Sequence, residues 1–157
     1  MKKSSFSLVE LIVVVAMLAA VAVIALCILG SIDKRHKRQQ LACLNNLAQL
    51  KTALQLYGDD NRSYLPDKDN GAGLASLLRL KYIDNASLLV CPGTKDAAAP
   101  NWQALCTEGD RHCSYLYNGA LYMNDLTPQS IILQDKKGNH RKLQQTIWGD
   151  FSVGASR

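Results

Sequence analysis

The sequence has three histidines, no Gly-x-Ser-x-Gly elbow, no glycine-rich phosphate cradle and no close carboxylate pair set in an apolar run. Hydrolytic, phosphoryl-transfer and carboxylate acid–base chemistry therefore lack recognisable machinery, and no catalytic residues, cofactor or enzymatic activity are expected. None of the five cysteines forms a Cys-x-x-Cys pair, so the usual spacing of a structural zinc site is missing. A grouping of Cys106, His112 and Cys113 lacks a second close ligand pair, and no metal site is expected. Charge is absent from Leu11 to Gly30, a run of twenty residues with no proline and no glycine before its end.

What is present divides the chain in two. A length of 157 residues with 48% apolar composition leaves material for one modest core once the apolar run is subtracted. The net charge of +5 sits around that run, with Lys2 and Lys3 before it and Lys34, Arg35, Lys37 and Arg38 after it. From Gln39 onward, 12 Lys or Arg face 11 Asp or Glu, a net of +1. The basicity is juxtamembrane, suited to anionic headgroups or a charged helical groove, and no nucleic-acid partner is expected.

The apolar run spans about 30 Å as a helix, the thickness of a bilayer's hydrocarbon core. It reads as a signal-anchor or as a secretory signal peptide cut near Ala20-Val21-Ala22, although apolar residues continue well past that point. Glu10 stands at its edge. A carboxylate there either rests among headgroups or has a specific partner.

Cysteine usage points to an oxidising compartment. Cys27 lies inside the apolar run as a small hydrophobe. The other four allow three pairings, of which Cys43 with Cys91 and Cys106 with Cys113 is preferred; the second would close a short loop worth roughly 2–3 kcal/mol. Cys43 as a reduced core residue remains the alternative.

The block Phe6-Ser7-Leu8-Val9-Glu10-Leu11-Ile12-Val13-Val14-Val15-Ala16 resembles the N-terminus of type IV pilins and type II secretion pseudopilins. The resemblance implies cleavage between Ser5 and Phe6 by a prepilin peptidase and N-methylation of Phe6. It further implies assembly into a filament on an inner-membrane platform, with Glu10 pairing the Phe6 amine of a neighbouring subunit. Ser5 stands where the family carries Gly; serine is small, so cleavage is expected to survive. The positive-inside rule alone would put the bulk of the chain in the cytoplasm. The resemblance and the cysteines place it in the periplasm, on a single-pass inner-membrane protein or in an extracellular filament.

Beyond Gly30, Cys43, Leu47, Leu50, Leu54 and Tyr57 recur at helical spacing, predicting an amphipathic stem capped by Gly58. Asp59-Asp60-Asn61 and Asn70-Gly71 mark a loop, and Leu74, Leu77 and Leu78 a short helix. Strands are expected over Leu88–Cys91, Ser114–Tyr117, Ile131–Leu133 and Thr146–Val153, with Gly138-Asn139 in a connection. The expected organisation is a leader (1–5), a membrane and assembly helix (6–30), a stem (31–58) and a head (59–157). The fold class is α+β, a long N-terminal helix on a small antiparallel sheet.

Cys43-Leu44-Asn45-Asn46-Leu47, Asp59-Asp60-Asn61, Tyr64-Leu65-Pro66, Cys91-Pro92 and Ser114-Tyr115-Leu116-Tyr117-Asn118 resemble a pilin-like subfamily ending in a His-x9-Asp-Gly signature. Here His140 and Asp150 keep the spacing and Phe151 replaces the glycine, which puts the tight turn in question. His140 and Asp150 are read as loop and strand-end residues. Asp67-x-Asp69-x-Gly71 has half of a calcium loop but an early glycine and no terminal Glu, and Asp135 and Asp150 are no stronger as calcium ligands. The rival to a filament subunit is a membrane-tethered periplasmic binding module that never polymerises.

Overall fold

The computed structural model describes residues 8–140 and 144–156. The chain is α+β, with helices α1 (Leu8–Asp60), α2 (Asn70–Arg79) and α3 (Trp102–His112) and strands β1 (Tyr115–Tyr117), β2 (Ile131–Asp135), β3 (Gln144–Trp148) and β4 (Val153–Ser156). Two compact units divide at Lys37 and Arg38. The first is the apolar part of α1, where every large side chain from Leu8 to Ile32 is exposed. Mean hydropathy there reaches 3.3 over eighteen residues, and the helix is long and apolar enough to cross a membrane.

In the second unit the rest of α1 turns a narrow apolar stripe inward. Cys43, Leu47, Leu50 and Leu54 are fully buried, Ala53 nearly so, and Tyr57 packs at the margin. Each of those leucines contributes about 1.5–3 kcal/mol by leaving water. Polar side chains at the margin of the stripe satisfy backbone carbonyls. Asn46 Nδ2 donates to Val90 O at 3.1 Å, and Gln145 Nε2 reaches back from the sheet to Gln40 O at 3.0 Å.

The sheet is a four-stranded antiparallel meander in the order β1-β2-β3-β4, with Leu116 opposite Gln134, Gln134 opposite Thr146 and Thr146 opposite Gly154. A register irregularity between Ile131 and Leu133 lets both Ile132 and Leu133 bury completely. Tyr115 and Tyr117 on β1, with Ile147 on β3, complete the sheet's share of the core.

Several elements differ from the sequence expectation, each for a local reason. Gly58 does not cap α1 but lies buried inside it, where Met123 Sδ occupies the space a Cβ would need. The helix ends beyond it, where Ser63 N–H donates to Gly58 O and Arg62 and Ser63 adopt positive φ. Gly71 is helical rather than a loop residue, and its lack of a side chain serves packing: α2 crosses α3 so closely that a Cβ on Gly71 would stand 2.7 Å from Gly109 Cα. Leu88–Cys91 is not a strand. Asn85 accepts the Ser87 N–H and winds Ala86–Leu89 into a 3₁₀ turn. The polar segment Trp102–His112, to which the sequence pattern assigns no element, is α3, started by Asn101 accepting the Ala104 N–H at 2.9 Å.

Thr146–Val153 is likewise two strand ends and a turn. Phe151 N–H donates to Trp148 O at 2.8 Å, Trp148 N–H donates to Ser152 O at 3.0 Å, and Ser152 N–H caps Asp150 Oδ1 at 2.8 Å. Phe151 holds φ +57° there, the left-handed conformation a glycine would take without strain. Its ring, 9% exposed, joins the core, and that burial offsets the backbone cost. The turn therefore forms without its glycine. Phe151→Ala keeps the strain and loses the ring, whereas Phe151→Gly loses the ring and sheds the strain. Urea unfolding is expected to find both destabilised, with the glycine variant less so by about 1 kcal/mol.

Candidate functional site

Two regions hold the residues singled out in the sequence. In the apolar unit Glu10 is exposed in the first turn of α1, directly before the uncharged run. Ser5 and Phe6 lie outside the described residues. Cys27 is exposed on the same helix among aliphatic side chains.

The second region is a buried polar cluster in the other unit, assembled from four separate stretches of chain. Cys43 comes from the α1 stripe. Cys91 opens the turn Cys91-Pro92-Gly93-Thr94, closed by Thr94 N–H and Thr94 Oγ1 on Cys91 O at 3.0 and 2.9 Å, with proline at the position that favours its fixed φ. Ser114 braces this turn, meeting Thr94 Oγ1 at 3.1 Å and donating to Asp96 Oδ2 at 2.6 Å. Asp135 is the last residue of β2, and His140 lies in the β2–β3 connection. Gly138 takes φ +98° there, and Asn139 Nδ2 ties the connection to Ser114 O at 2.7 Å.

One ligating atom from each of Cys43, Cys91, Asp135 and His140 lies within 4.8 Å of all the others. Cys43 Sγ is 3.3 Å from Asp135 Oδ1 and 3.7 Å from Oδ2, Cys91 Sγ is 3.4 Å from His140 Nε2, and His140 Nε2 is 3.4 Å from Asp135 Oδ2. Cys43 and Cys91 are fully buried, and the side chains of His140 and Asp135 are 4% and 1% exposed.

An outer ring of donors faces these atoms. Gly93 N–H donates to Cys91 Sγ at 3.4 Å, and Tyr115 Oη lies 3.3 Å from Cys43 Sγ. Asn139 Nδ2 and Gln145 N–H each donate to the Asp135 carboxylate at 3.3 Å. Burial pushes the Asp135 carboxyl up, and hydrogen bonds from Cys43 and Asn139 draw it back. The adjoining Cys91 thiol, with desolvation, holds the Cys43 thiol far above its ordinary value; the same interaction lowers that of Cys91. Burial raises Tyr115 strongly, keeping it a neutral phenol.

The structure thus brings Cys43 and Cys91 together, with His140 and Asp135 between and beside them. It does not gather Cys106 and Cys113 in the same way. Cys106 is exposed on α3, while Cys113 is buried past the helix end and donates to Tyr115 O at 3.3 Å. No two of the five cysteines are bridged in this structure. His112 Nδ1 meets Ala97 O at 2.8 Å. Asp150 is exposed in the β3–β4 turn, its carboxyl lowered by the Ser152 hydrogen bonds, so the residue buried against His140 is Asp135. Asp69 Oδ1 accepts the Gly119 N–H at 2.7 Å, beside exposed Asp67.

Sequence reasoning missed the cluster because Asp135 and His140 stand far along the chain from Cys43 and from Cys91, so no short motif announces it. The one available signal was Cys43 on the inward stripe together with a Cys-Pro-Gly turn. A burial test follows for the cysteines beyond Lys37. Under native reducing conditions a maleimide is expected to label Cys106 quickly and Cys43, Cys91 and Cys113 only after denaturation, read by peptide mass mapping; rapid labelling of Cys91 would contradict the packing. No family model, curated protein or solved structure matches this chain.

Proposed function

We propose that the chain is a structural subunit of a type IV pilus-like or type II secretion pseudopilus-like filament, processed between Ser5 and Phe6 by a prepilin peptidase. It is anchored in the inner membrane through α1 and then extracted into a helical bundle by an assembly platform, with its globular part in the periplasm. The observation that carries this reading is the pairing of two features in one helix. The N-terminal part of α1 exposes an uninterrupted apolar surface with Glu10 at its edge, and the C-terminal part forms the wall of a small antiparallel sheet domain. An apolar surface of that extent requires cover, from lipid in the membrane and from sister helices in a filament.

Glu10 gives the assembly its register. A carboxylate drawn into a packed apolar bundle costs several kcal/mol unless it is neutralised. The partner in a staggered neighbour would be the new amine at Phe6, created by cleavage. Only one axial stagger then places the charges together, so the pair selects the geometry as well as offsetting the burial.

Two measurements test this reading. Mass spectrometry of membrane-extracted protein is expected to show a chain of 152 residues, 157 minus the five of the leader, carrying one added methyl group. An intact Met1 or a terminus near Val23 would remove the proposal. Glu10→Ala is expected to insert and be processed normally but to fail to enter sheared, sedimentable filaments, with Glu10→Asp intermediate because the shorter side chain stretches the pair. Wild-type filament yield from Glu10→Ala would instead favour a membrane-tethered periplasmic module.

A further inference from the structure

The geometry points to a binding site for one thiophilic divalent cation, with zinc the best match, held by Cys43 Sγ, Cys91 Sγ, Asp135 and His140 Nε2. It lies wholly within the globular part and does not depend on the filament reading.

The first argument is metric. Zinc sits about 2.3 Å from thiolate sulfur and about 2.0–2.2 Å from imidazole nitrogen or carboxylate oxygen, so the edges of its tetrahedron run about 3.3–3.8 Å. The corresponding edges in this structure are 3.3 Å or 3.7 Å for Cys43 to the two Asp135 oxygens, 3.4 Å for Cys91 to His140 and 3.4 Å for His140 to Asp135. All remaining separations fall within 4.8 Å. A single centre therefore reaches all four donors with small side-chain movements.

The second argument is electrostatic. In their ligating forms the two thiolates and the carboxylate bring three negative charges to a site screened from water. Each anionic atom already has a donor behind it: Gly93 N–H for Cys91, Tyr115 Oη for Cys43, and Asn139 Nδ2 with Gln145 N–H for Asp135. Such an outer shell orients ligands and stabilises their charged forms. His140 alone cannot balance three buried anions, whereas a divalent cation does so to within one charge. Binding displaces the two thiol protons to solvent and leaves the imidazole neutral.

The third argument is chemical selection. Two sulfurs, one nitrogen and one oxygen exclude calcium and magnesium, which take oxygen ligands, and suit a borderline-soft ion of tetrahedral habit. With four protein ligands and no open position the site is structural, tying α1 to the Cys91 turn, the end of β2 and the β2–β3 connection.

The test uses the full chain in detergent, reduced and stripped with chelator, then titrated with Co(II) and Zn(II). The expected result is one Co(II) per chain with tetrahedral d–d absorption and a sulfur-to-cobalt charge-transfer band, displaced by one equivalent of Zn(II), with a melting temperature that rises on loading. Cys91→Ser and His140→Ala are expected to weaken Zn(II) by more than the about 10–100-fold that loss of an outer-shell partner costs. Cys106→Ser should change nothing. To separate lost ligation from lost fold, Asp135→Asn and His140→Gln preserve side-chain size, and their far-UV circular dichroism should match the parent while Co(II) absorption is lost. Absence of stoichiometric binding by the folded, reduced chain would overturn the proposal. So would binding indifferent to these substitutions, or a Cys43–Cys91 disulfide trapped by alkylation before lysis.

Discussion

The apolar face of α1 between Cys43 and Leu54 is the surface on which the rest of the globular part is arranged. Cys43, Leu47, Leu50 and Leu54 reach complete burial only because α2, the 3₁₀ turn and the sheet all supply side chains to the same core, among them Leu74, Leu77, Leu89, Tyr115 and Ile147. The stripe is one helical face wide, so the flanking residues fall at its margin, where Asn46 and Gln40 can meet loop and sheet atoms by hydrogen bond. Replacing the stripe would remove a partner that all of these elements share.

Cys43 opens this stripe and lies at the end of the core, where β2 finishes and its connection to β3 begins. That position brings a thiol, a carboxylate and an imidazole out of water together, an arrangement that tolerates no missing partner. Backbone and braced side chains surround it: the Cys91 turn held by Ser114, Asn139 held on Ser114 O, Gln145 held in the β3 ladder and Tyr115 buried on β1. Rigidity of this kind suits a fastening between stem and sheet better than a site that must open to a substrate.

The two units of the chain pose opposite solvation problems. The globular part closes its apolar surface internally, whereas the N-terminal part of α1 leaves its own entirely exposed and can satisfy it only with something outside the chain. Glu10, the acidic residue of its first turn, sits at the boundary of that surface, where a change of surroundings alters a carboxylate's energy most.

Local pattern alone determined the apolar run, the stem stripe and the positions of β1 and β2, because period and composition act within a few turns or residues. It determined too that Gly138 and Asn139 stand in a turn. Tertiary structure decided the rest. Gly58 and Gly71 look like breaks in the sequence, yet both are helical, and they are glycines because Met123 and Gly109 approach where a side chain would stand. Phe151 takes a glycine's conformation because its ring finds the core. Above all, Cys43, Cys91, Asp135 and His140 meet only after a helix face, a proline turn and a hairpin have docked on one another. A convergence across that much chain has no signature in residue spacing and exists only as a consequence of packing.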